Sequence, residues 1–551
     1  MDSVAKSATF ASPKKKPRHI SIILTIWLAY LACLAILQLS GAGVGFKIWP
    51  IGEDRNWLYL LRSGDPQQTF QEFWALDHRN PMAAFWWIIA SPLIRASDWG
   101  LHAISMIVSP FAAIMTYLVL DRLSRGRSQL FALITAILVL FWNFPARHDH
   151  VDRVMVIALI FTLATIYLYA VFVDGNRSRK GVLIGAVLCY LVALATYTIQ
   201  SGAIIAIPFL AFFRLTRPIK NRLLMAVIDS AIFFAVFVGY TVTWMHFAGP
   251  SSGTGFEFHA REFISNVGAS LAAFAIPPSN GQFIDIAAAE FSPTERRAWF
   301  LFAAICAMVV VAWAFISSKA APKLPPLGWV VVLLLAIGLP TVFVEAGNSS
   351  WGPGARSIMI LQVWEPVVLA SIIFIIAAPI RNAFAKNLLA FVASSAVIAV
   401  MFFSTIGFNH FQSDVTFYQR NLAIGLRAID DGQTKPMSYL VKIHNPVSGK
   451  VGTEPTLASY APTILGRNET SLRLFISYPS PIPSYDPIWR IEFSDQGVRN
   501  GRGFFDATIV PYENLKVVLF DGLKVWVPPI ITQDDLKGLQ VDWKKSSPIV
   551  Q

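Results

Sequence analysis

Charged side chains are scarce in this chain, and so is cysteine. Asp, Glu, Lys and Arg make up 14% of its 551 residues, against about 25% in soluble domains. Hydrophobic residues make up 55%, and the mean hydropathy is +0.54. This composition excludes a soluble globular protein and predicts a polytopic membrane protein. Cys33, Cys189 and Cys306 all lie in apolar segments, which excludes a disulfide framework.

Several motifs of pumps and soluble enzymes are also absent. The chain has no Walker A sequence, no GxGxxG, no HExxH and no CxxC pair. Each of these motifs holds a phosphate, a dinucleotide or a metal ion by a known mechanism. Their absence counts against a nucleotide-powered pump and against a zinc protease of the HExxH type.

The net charge of +12 comes from Lys and Arg, which concentrate at the N-terminus and in short loops. Basic residues in these places orient membrane spans, so the charge predicts topology and not nucleic-acid binding. The N-terminus carries Lys14, Lys15, Lys16 and Arg18 ahead of an apolar run that begins at Ile20. This run is longer than the roughly 7–15 apolar residues of a signal peptide. We therefore expect a retained signal anchor with its N-terminus in the cytoplasm.

Spans of about 20 apolar residues cross a membrane as helices. The sequence predicts eleven of them, near 20–44, 99–120, 128–144, 153–173, 181–197, 199–214, 223–245, 298–318, 326–344, 357–379 and 387–406. With a cytoplasmic N-terminus, the basic loops 122–127, 177–180, 214–222, 319–323 and 381–386 all fall on the cytoplasmic side. We expect a multi-pass protein of the cytoplasmic (inner) membrane with its C-terminus outside.

The predicted organisation has three parts: a basic N-terminus (1–19), an all-α transmembrane bundle (20–406) with external loops 45–98 and 246–297, and an external C-terminal domain (407–551). Two segments of the first loop, Asn56–Arg62 and Pro81–Ile94, suit helices that lie in the membrane interface. The last part is expected to be a small mixed α/β or β domain. It has a leading helix at Val415–Ile429 and short apolar runs at 439–443, 472–478, 489–493, 516–520 and 524–527.

The acidic pair Glu53–Asp54 is the first candidate for chemistry. It stands shortly after the first span, where a dehydrated carboxylate is expensive to hold. A structural alternative is an N-cap or an interfacial anchor for the helix expected from Asn56. The catalytic interpretation makes one carboxylate a general base, with Asp54 preferred over Glu53.

A second polar cluster fills the predicted external turn between the third and fourth spans. His148, Asp149, His150 and Asp152 follow one another there, and all four side chains are possible ligands for a divalent cation. A solvated turn with local ion pairs is the alternative. The metal interpretation gives Asp149, His150 and Asp152 as ligands of Mg²⁺ or Mn²⁺, and His148 as a phosphate contact.

Further polar residues lie in predicted external positions. Arg356 is at the mouth of the tenth span, and an Arg there suits a phosphate because its planar fork matches two oxygens; it is also suited to snorkelling. His78 and Arg79 precede the Trp86–Trp87 helix and are candidates for the same phosphate. Gln200 in a tight turn and Glu345 at the end of the ninth span are candidates for binding sugar hydroxyls, although Glu345 is also suited to pairing with Arg356.

This arrangement resembles the GT-C superfamily of membrane glycosyltransferases. The matching features are Glu53–Asp54 after the first span, the loop Asn56–Ile94, the second acidic site at 148–152, and the tail 407–551. The resemblance is nearest to the GtrII-like and aminoarabinose-transferase-like bacterial members. It implies a GT-C-like fold and sugar transfer from a polyprenyl-phosphate donor. The acceptor would be an extracytoplasmic glycan, lipid or protein.

Three other functions fit parts of the sequence. A lipid-linked glycan transporter or flippase predicts charged residues near the midplane and an internal inverted repeat; Asp229 is the main acid that fits, and no convincing repeat is present. An O-antigen polymerase or ligase also uses lipid-linked glycans, but it relies on external Arg and His. A non-catalytic protein of envelope polysaccharide assembly would tolerate loss of the acidic pair.

Overall fold

The structure is a computed structural model, and its helices and strands follow the apolar segments of the sequence. It describes residues 18–39, 67, 70, 71, 81–96, 99–141, 153–175, 177–197, 202–215, 218–248, 290–318, 322, 323, 325–346, 358–430, 437–443, 474–477, 491–500, 509–528, 547 and 548. This part of the chain is mostly helical, with a few short strands near its C-terminus.

The described helices are α1 (Arg18–Leu39), α2 (Pro81–Ala96), α3 (Trp99–Leu123), α4 (Gln129–Phe141), α5 (Arg153–Asp174), α6 (Lys180–Thr196), α7 (Ala203–Arg214), α8 (Ile219–Ala248), α9 (Pro293–Ser318), α10 (Leu327–Ala346), α11 (Ile358–Ala377) and α12 (Ala383–Asp430). Each apolar segment predicted as a span overlaps one of them and is confirmed as helix over the residues that the two share. The helix predicted at Pro81–Ile94 is α2. The one predicted at Asn56–Arg62 lies outside the described residues.

Four of these helices are long and apolar enough to cross a membrane, which indicates a membrane protein. They are Val156–Asp174 in α5, Ile219–Trp244 in α8, Pro293–Ser318 in α9 and Ala383–Gly407 in α12. Others are shorter: α4 has 13 residues and α7 has 12. At 1.5 Å per residue these two rise by about 20 Å and 18 Å, less than the ~30 Å hydrocarbon core. The count of eleven spans therefore stays a prediction.

Helix α4 lies at the centre of the bundle. Every residue from Leu130 to Phe141 is buried, as expected of a helix that is apolar on all sides. In contrast, only 17% of the spanning window of α8 and 22% of that of α9 are buried. Their exposed faces are apolar, with Val227, Phe234 and Val309 among the exposed side chains. These two helices therefore form the apolar periphery of the bundle.

The arginine-rich turns of α3, α5 and α7 meet at one end of the bundle. Asp174, the last residue of α5, forms ion pairs with Arg122 of α3 at 3.0 Å and with Arg214 of α7 at 3.1 Å. Three residues after Asp174, Arg177 pairs with Asp229 of α8. We call this end of the bundle, with Arg122, Arg177 and Arg214, the basic end.

Two further contacts bring the remaining basic loops to the same end. The guanidinium of Arg214 lies over the ring of Trp329 at 5.6 Å, so α10 begins at the basic end. Phe374 near the end of α11 packs edge-on against Phe131 near the start of α4, with ring centroids 5.3 Å apart. All five predicted basic loops thus adjoin helix ends at the basic end. The opposite end, with Phe141 of α4 and Thr196 of α6, we call the distal end.

The strands lie after α12 and form two sheets. They are β1 (Ser438–Ile443), β2 (Leu474–Ser477), β3 (Ile491–Ser494), β4 (Gly497–Asn500), β5 (Leu515–Phe520), β6 (Val525–Val527) and β7 (Ser547–Pro548). The larger sheet has the order β2-β1-β5-β6-β7, and β3 pairs with β4. β1 is parallel to β2 and to β5, whereas β5, β6 and β7 pair antiparallel. The five strands predicted from apolar runs are confirmed.

Helix α12 connects the bundle to this sheet without a break. It has 48 residues, so the predicted helix Val415–Ile429 is its C-terminal part and not a separate element. Phe402 packs against Phe141 at the distal end, and the helix continues beyond this contact. Near its C-terminus the sheet packs on it: a Cβ placed on Gly425 would lie 2.2 Å from Cγ2 of Val525 in β6. Glycine is therefore required where the sheet meets the helix.

Candidate functional site at the distal end of the bundle

Most of the residues predicted to carry chemistry lie outside the described part of the chain. This holds for Glu53, Asp54, His78, Arg79, His148, Asp149, His150, Asp152, Gln200 and Arg356. Glu345 is in the last turn of α10. For the undescribed residues, the structure shows only where the helices before and after them end and begin.

The helix ends that flank three of the undescribed segments lie together at the distal end. The segment 142–152 is flanked by the end of α4 and the start of α5, and the segment 198–201 by the end of α6 and the start of α7. The segment 347–357 is flanked by the end of α10 and the start of α11. Since the other ends of these six helices are at the basic end, the chain leaves and re-enters the bundle distally at each of the three segments.

Helix α2 also lies against the distal half of the bundle. The indole N–H of Trp86 donates a hydrogen bond to Oγ1 of Thr196 at 3.1 Å. The Trp86 ring stacks on Phe161 of α5, with centroids 5.8 Å apart. Trp87 is buried, whereas Phe85 and Ile89 are exposed. The aromatic residues of α2 thus fix the helix beside the last turn of α6 and leave an apolar face outward.

The start of α9 has a polar helix cap at the distal end. Ser292 and Glu295 form a capping box, in which the Ser292 hydroxyl donates to Glu295 at 2.6 Å and the Ser292 N–H at 3.0 Å. The backbone N–H of Glu295 donates back to the Ser292 hydroxyl at 3.4 Å, which makes the arrangement reciprocal and satisfies an N–H group of the first turn. The ring of His410 of α12 lies edge-on to Phe291, with centroids 5.0 Å apart. The contact ties α12 to the start of α9.

Glu365 is a buried acid that the sequence interpretation missed. It lies in the distal half of α11, two turns after the helix begins, and is 3% exposed. Its neighbour Trp364 packs on Gly338 of α10, where a Cβ would lie only 2.3 Å from the indole ring. Pro366 follows within the helix and removes one backbone hydrogen bond. An acid inside an otherwise uncharged 20-residue helix was the signal available, since such residues are mostly functional in membrane spans.

Asp229 is the acid that fits the transporter alternative. In the structure it forms an ion pair with Arg177, near the basic end. Its carboxylate accepts from both terminal nitrogens of Arg177, one at 2.8 Å, and from the hydroxyl of Tyr169. Tyr169 is five residues from the end of α5, which is about 7.5 Å along the helix. Asp229 is thus held by side chains from the last turns of α5 and from the turn after it.

The described residues contain no group of three or more His, Cys, Asp or Glu side chains placed to hold a metal ion. The cysteines of α6 and α9, Cys189 and Cys306, are free thiols. The ligands predicted for a divalent cation, Asp149, His150 and Asp152, fall in the 142–152 segment and stay a prediction. Comparison with known proteins finds no matching family model, no matching curated protein and no matching solved structure.

Proposed function

We propose that this protein is an integral membrane glycosyltransferase of the GT-C type with an eleven-span bundle. It would move a sugar from a polyprenyl-phosphate donor to an extracytoplasmic acceptor. One observation carries the proposal: the helix ends that flank the segments 142–152, 198–201 and 347–357 lie together opposite the basic end. A transferase of this kind needs its acid, its phosphate ligands and its acceptor site on one side of the membrane.

The positive-inside rule supplies the orientation. Basic loops between spans favour the cytoplasmic side, and here they adjoin one end of the bundle. The basic end is then cytoplasmic, and the distal end faces outward. The strand-containing tail, residues 407–551, becomes an external domain that helps to hold the acceptor.

The chemistry is assigned to the acidic pair. Asp54, or its neighbour Glu53, accepts the proton of the acceptor hydroxyl or amine as that group attacks the anomeric carbon. The bond to the phosphate oxygen breaks as the new glycosidic bond forms, so the configuration inverts in a single displacement. Polyprenyl phosphate leaves as an anion.

The leaving phosphate requires positive charge beside it. Arg356, Arg79, His78 and His148 are the proposed donors of this charge. A cation held by the 149–152 segment would supply further charge. Gln200 and Glu345 would bind sugar hydroxyls. The aromatic helix α2, fixed against the distal end through Trp86, suits the isoprenoid tail of the donor.

The test is sugar transfer in membranes supplied with a polyprenyl-phosphate sugar. Because a positioned general base contributes about 10²–10⁴-fold to a rate, Asp54→Asn or Glu53→Gln should lower transfer by that factor. Arg179→Gln is the control, since Arg179 is exposed at the basic end, away from the proposed transfer site. Near-normal transfer by both variants of the pair would rule out the assigned base.

The cation has its own test. Chelation of divalent ions should lower transfer if the 149–152 segment holds an ion that acts on the phosphate, and added Mg²⁺ or Mn²⁺ should restore it. Transfer that is indifferent to the chelator removes the cation and leaves the arginines and histidines as the only phosphate ligands.

A further inference from the structure

Three arginines surround a single carboxylate at the basic end. Asp174 lies 3.0 Å from Arg122, 3.1 Å from Arg214 and 3.9 Å from Arg125. We call these four residues the Asp174 cluster. Three positive charges face one negative charge, which leaves two positive charges in excess. Counting the buried carboxyl of Asp121 on the adjoining turn of α3 still leaves an excess of one.

The deepest member of the cluster has a donor that the protein does not use. Arg214 is 3% exposed. Its Nε donates to Asp174, and its Nη2 donates to the carbonyl oxygen of Arg122 at 2.9 Å. Nη1 is buried without a hydrogen-bond acceptor among the protein atoms that the structure describes. Buried N–H groups of charged side chains ordinarily have partners, so the single carboxylate of the cluster does not satisfy all the donors of its three guanidinium groups.

The two other arginines make the cluster accessible. The side chain of Arg122 is 34% exposed and that of Arg125 is 54% exposed. Arg125 lies in the turn after α3 with a positive φ of 53°, and Gly126 follows with 73°. The turn therefore directs Arg125 out of the helical path while its Nη2 contacts the carbonyl oxygen of Arg214 at 3.5 Å.

The level of the cluster identifies the class of anion. Asp174 is the last residue of the candidate span Val156–Asp174, and Arg122 is in the last turn of α3. Both helices thus end their apolar stretch at the cluster. In a bilayer this is the depth of the lipid headgroups, where basic side chains attract anionic lipids. A headgroup phosphate can accept from two arginines at once, since each guanidinium presents a fork of donors.

We propose that the Asp174 cluster is a binding site for the phosphate of an anionic lipid headgroup in the leaflet at the basic end. Arg125 and Arg122 contact the phosphate oxygens, and Asp174 with Arg214 holds these two side chains in place from the buried side. The site is separate from the proposed transfer site, which is at the distal end.

The experiment is native mass spectrometry of the full chain released from nanodiscs of phosphatidylglycerol or of phosphatidylcholine. The wild type should retain phosphatidylglycerol and not phosphatidylcholine. Arg125→Gln removes the exposed guanidinium and leaves the buried ion pair between Asp174 and Arg214 in place. It should retain phosphatidylglycerol about fivefold more weakly, the effect expected for one basic residue at a membrane surface. Equal retention by wild type and variant would overturn the site.

Two controls distinguish a defined lipid site from diffuse surface charge and from a site for free phosphate. Arg381→Gln removes one exposed charge from a different basic turn and should leave retention unchanged; an equal loss would mean diffuse surface charge and no defined site. Inorganic phosphate is tested as a competitor of phosphatidylglycerol. Displacement of the lipid at low concentrations of phosphate would assign the cluster to free phosphate and overturn the lipid as its ligand.

Discussion

Arg177 and Asp229 join the turn between α5 and α6 to the buried face of α8. Both terminal nitrogens of Arg177 donate to the two carboxylate oxygens of Asp229. Asp229 is fully buried, and the Arg177 side chain is 15% exposed. The hydroxyl of Tyr169 donates a third hydrogen bond to the Asp229 carboxylate. The exposed side chains of α8 include many large apolar ones, such as Val227 and Phe234, so this pair is a buried polar attachment on a mainly apolar helix.

Asp229→Asn should destabilise the protein strongly. The change leaves Arg177 without its charge partner in a buried site, and breaking such a pair costs about 3–5 kcal/mol. Thermal unfolding in detergent, followed by loss of the monodisperse elution peak, measures the effect. Arg177→Met combined with Asp229→Leu removes both charges and should recover part of the loss. Arg179→Gln, an exposed neighbour, is the control and should change nothing; a stable Asp229→Asn would contradict the role of the pair.

Gly425→Ala should loosen the sheet from α12. The added methyl would lie 2.2 Å from Cγ2 of Val525, so the strand or the helix must shift, at a cost of about 1–3 kcal/mol. Limited proteolysis should then cleave the tail faster than in the wild type. Gly239→Ala in α8 is the matched control, because nothing in the described structure lies within 4 Å of its Cβ. Protection equal to that of wild type would show that the contact does not hold the sheet.

Trp86 and Thr196 should show a coupled effect on stability. Trp86→Phe keeps an aromatic ring against Phe161 but removes the indole N–H that Thr196 accepts. A hydrogen bond of this kind contributes about 0.5–1.5 kcal/mol. Thr196→Val removes the acceptor and should cost a similar amount. In the double variant the losses should not add, and strict additivity in a thermal double-mutant cycle would exclude the bond.

Cysteine labelling should distinguish the two ends of the bundle. Arg179 lies exposed at the basic end, and Leu523 lies exposed in the turn between β5 and β6. With the three native cysteines replaced by alanine, Leu523→Cys should react with an impermeant thiol reagent from outside the cell. Arg179→Cys should react only after the membrane is opened. Reaction of both positions from the same side would contradict the proposed orientation.

The helices could be predicted from the sequence because each one is a continuous apolar run. Their ends differ from prediction mainly where polar residues continue a helix, as at Gly407–Asp430 of α12, which hydropathy alone separates from the span. Strand β4 was missed because its sequence, Gly-Val-Arg-Asn, has little strand preference. Strand β7 has two residues, one of them Pro548, too few for any pattern.

The ion pairs were beyond prediction for a different reason. Arg177 and Asp229 are separated by 52 positions in the chain, and Asp174 meets arginines from two other helices. Hydropathy shows where helices lie but not which faces meet. Glu365 carried a readable signal, as an acid in an apolar helix. Of the predicted site, only the common location of the flanking helix ends is described, and the roles of its residues stay a prediction.

The length of helix α12 sets the distance between the bundle and the sheet. At 1.5 Å per residue, the 48 residues of this helix extend over about 72 Å. Both the height and the rotation of the sheet above the distal end are therefore set by the number of residues after Gly407. An insertion of four alanines there would raise the sheet by about 6 Å and turn it by about 40°. An insertion of seven alanines would raise the sheet further but nearly restore the direction it faces. Comparing the two insertions therefore separates the effect of the sheet's distance from the bundle from the effect of its orientation.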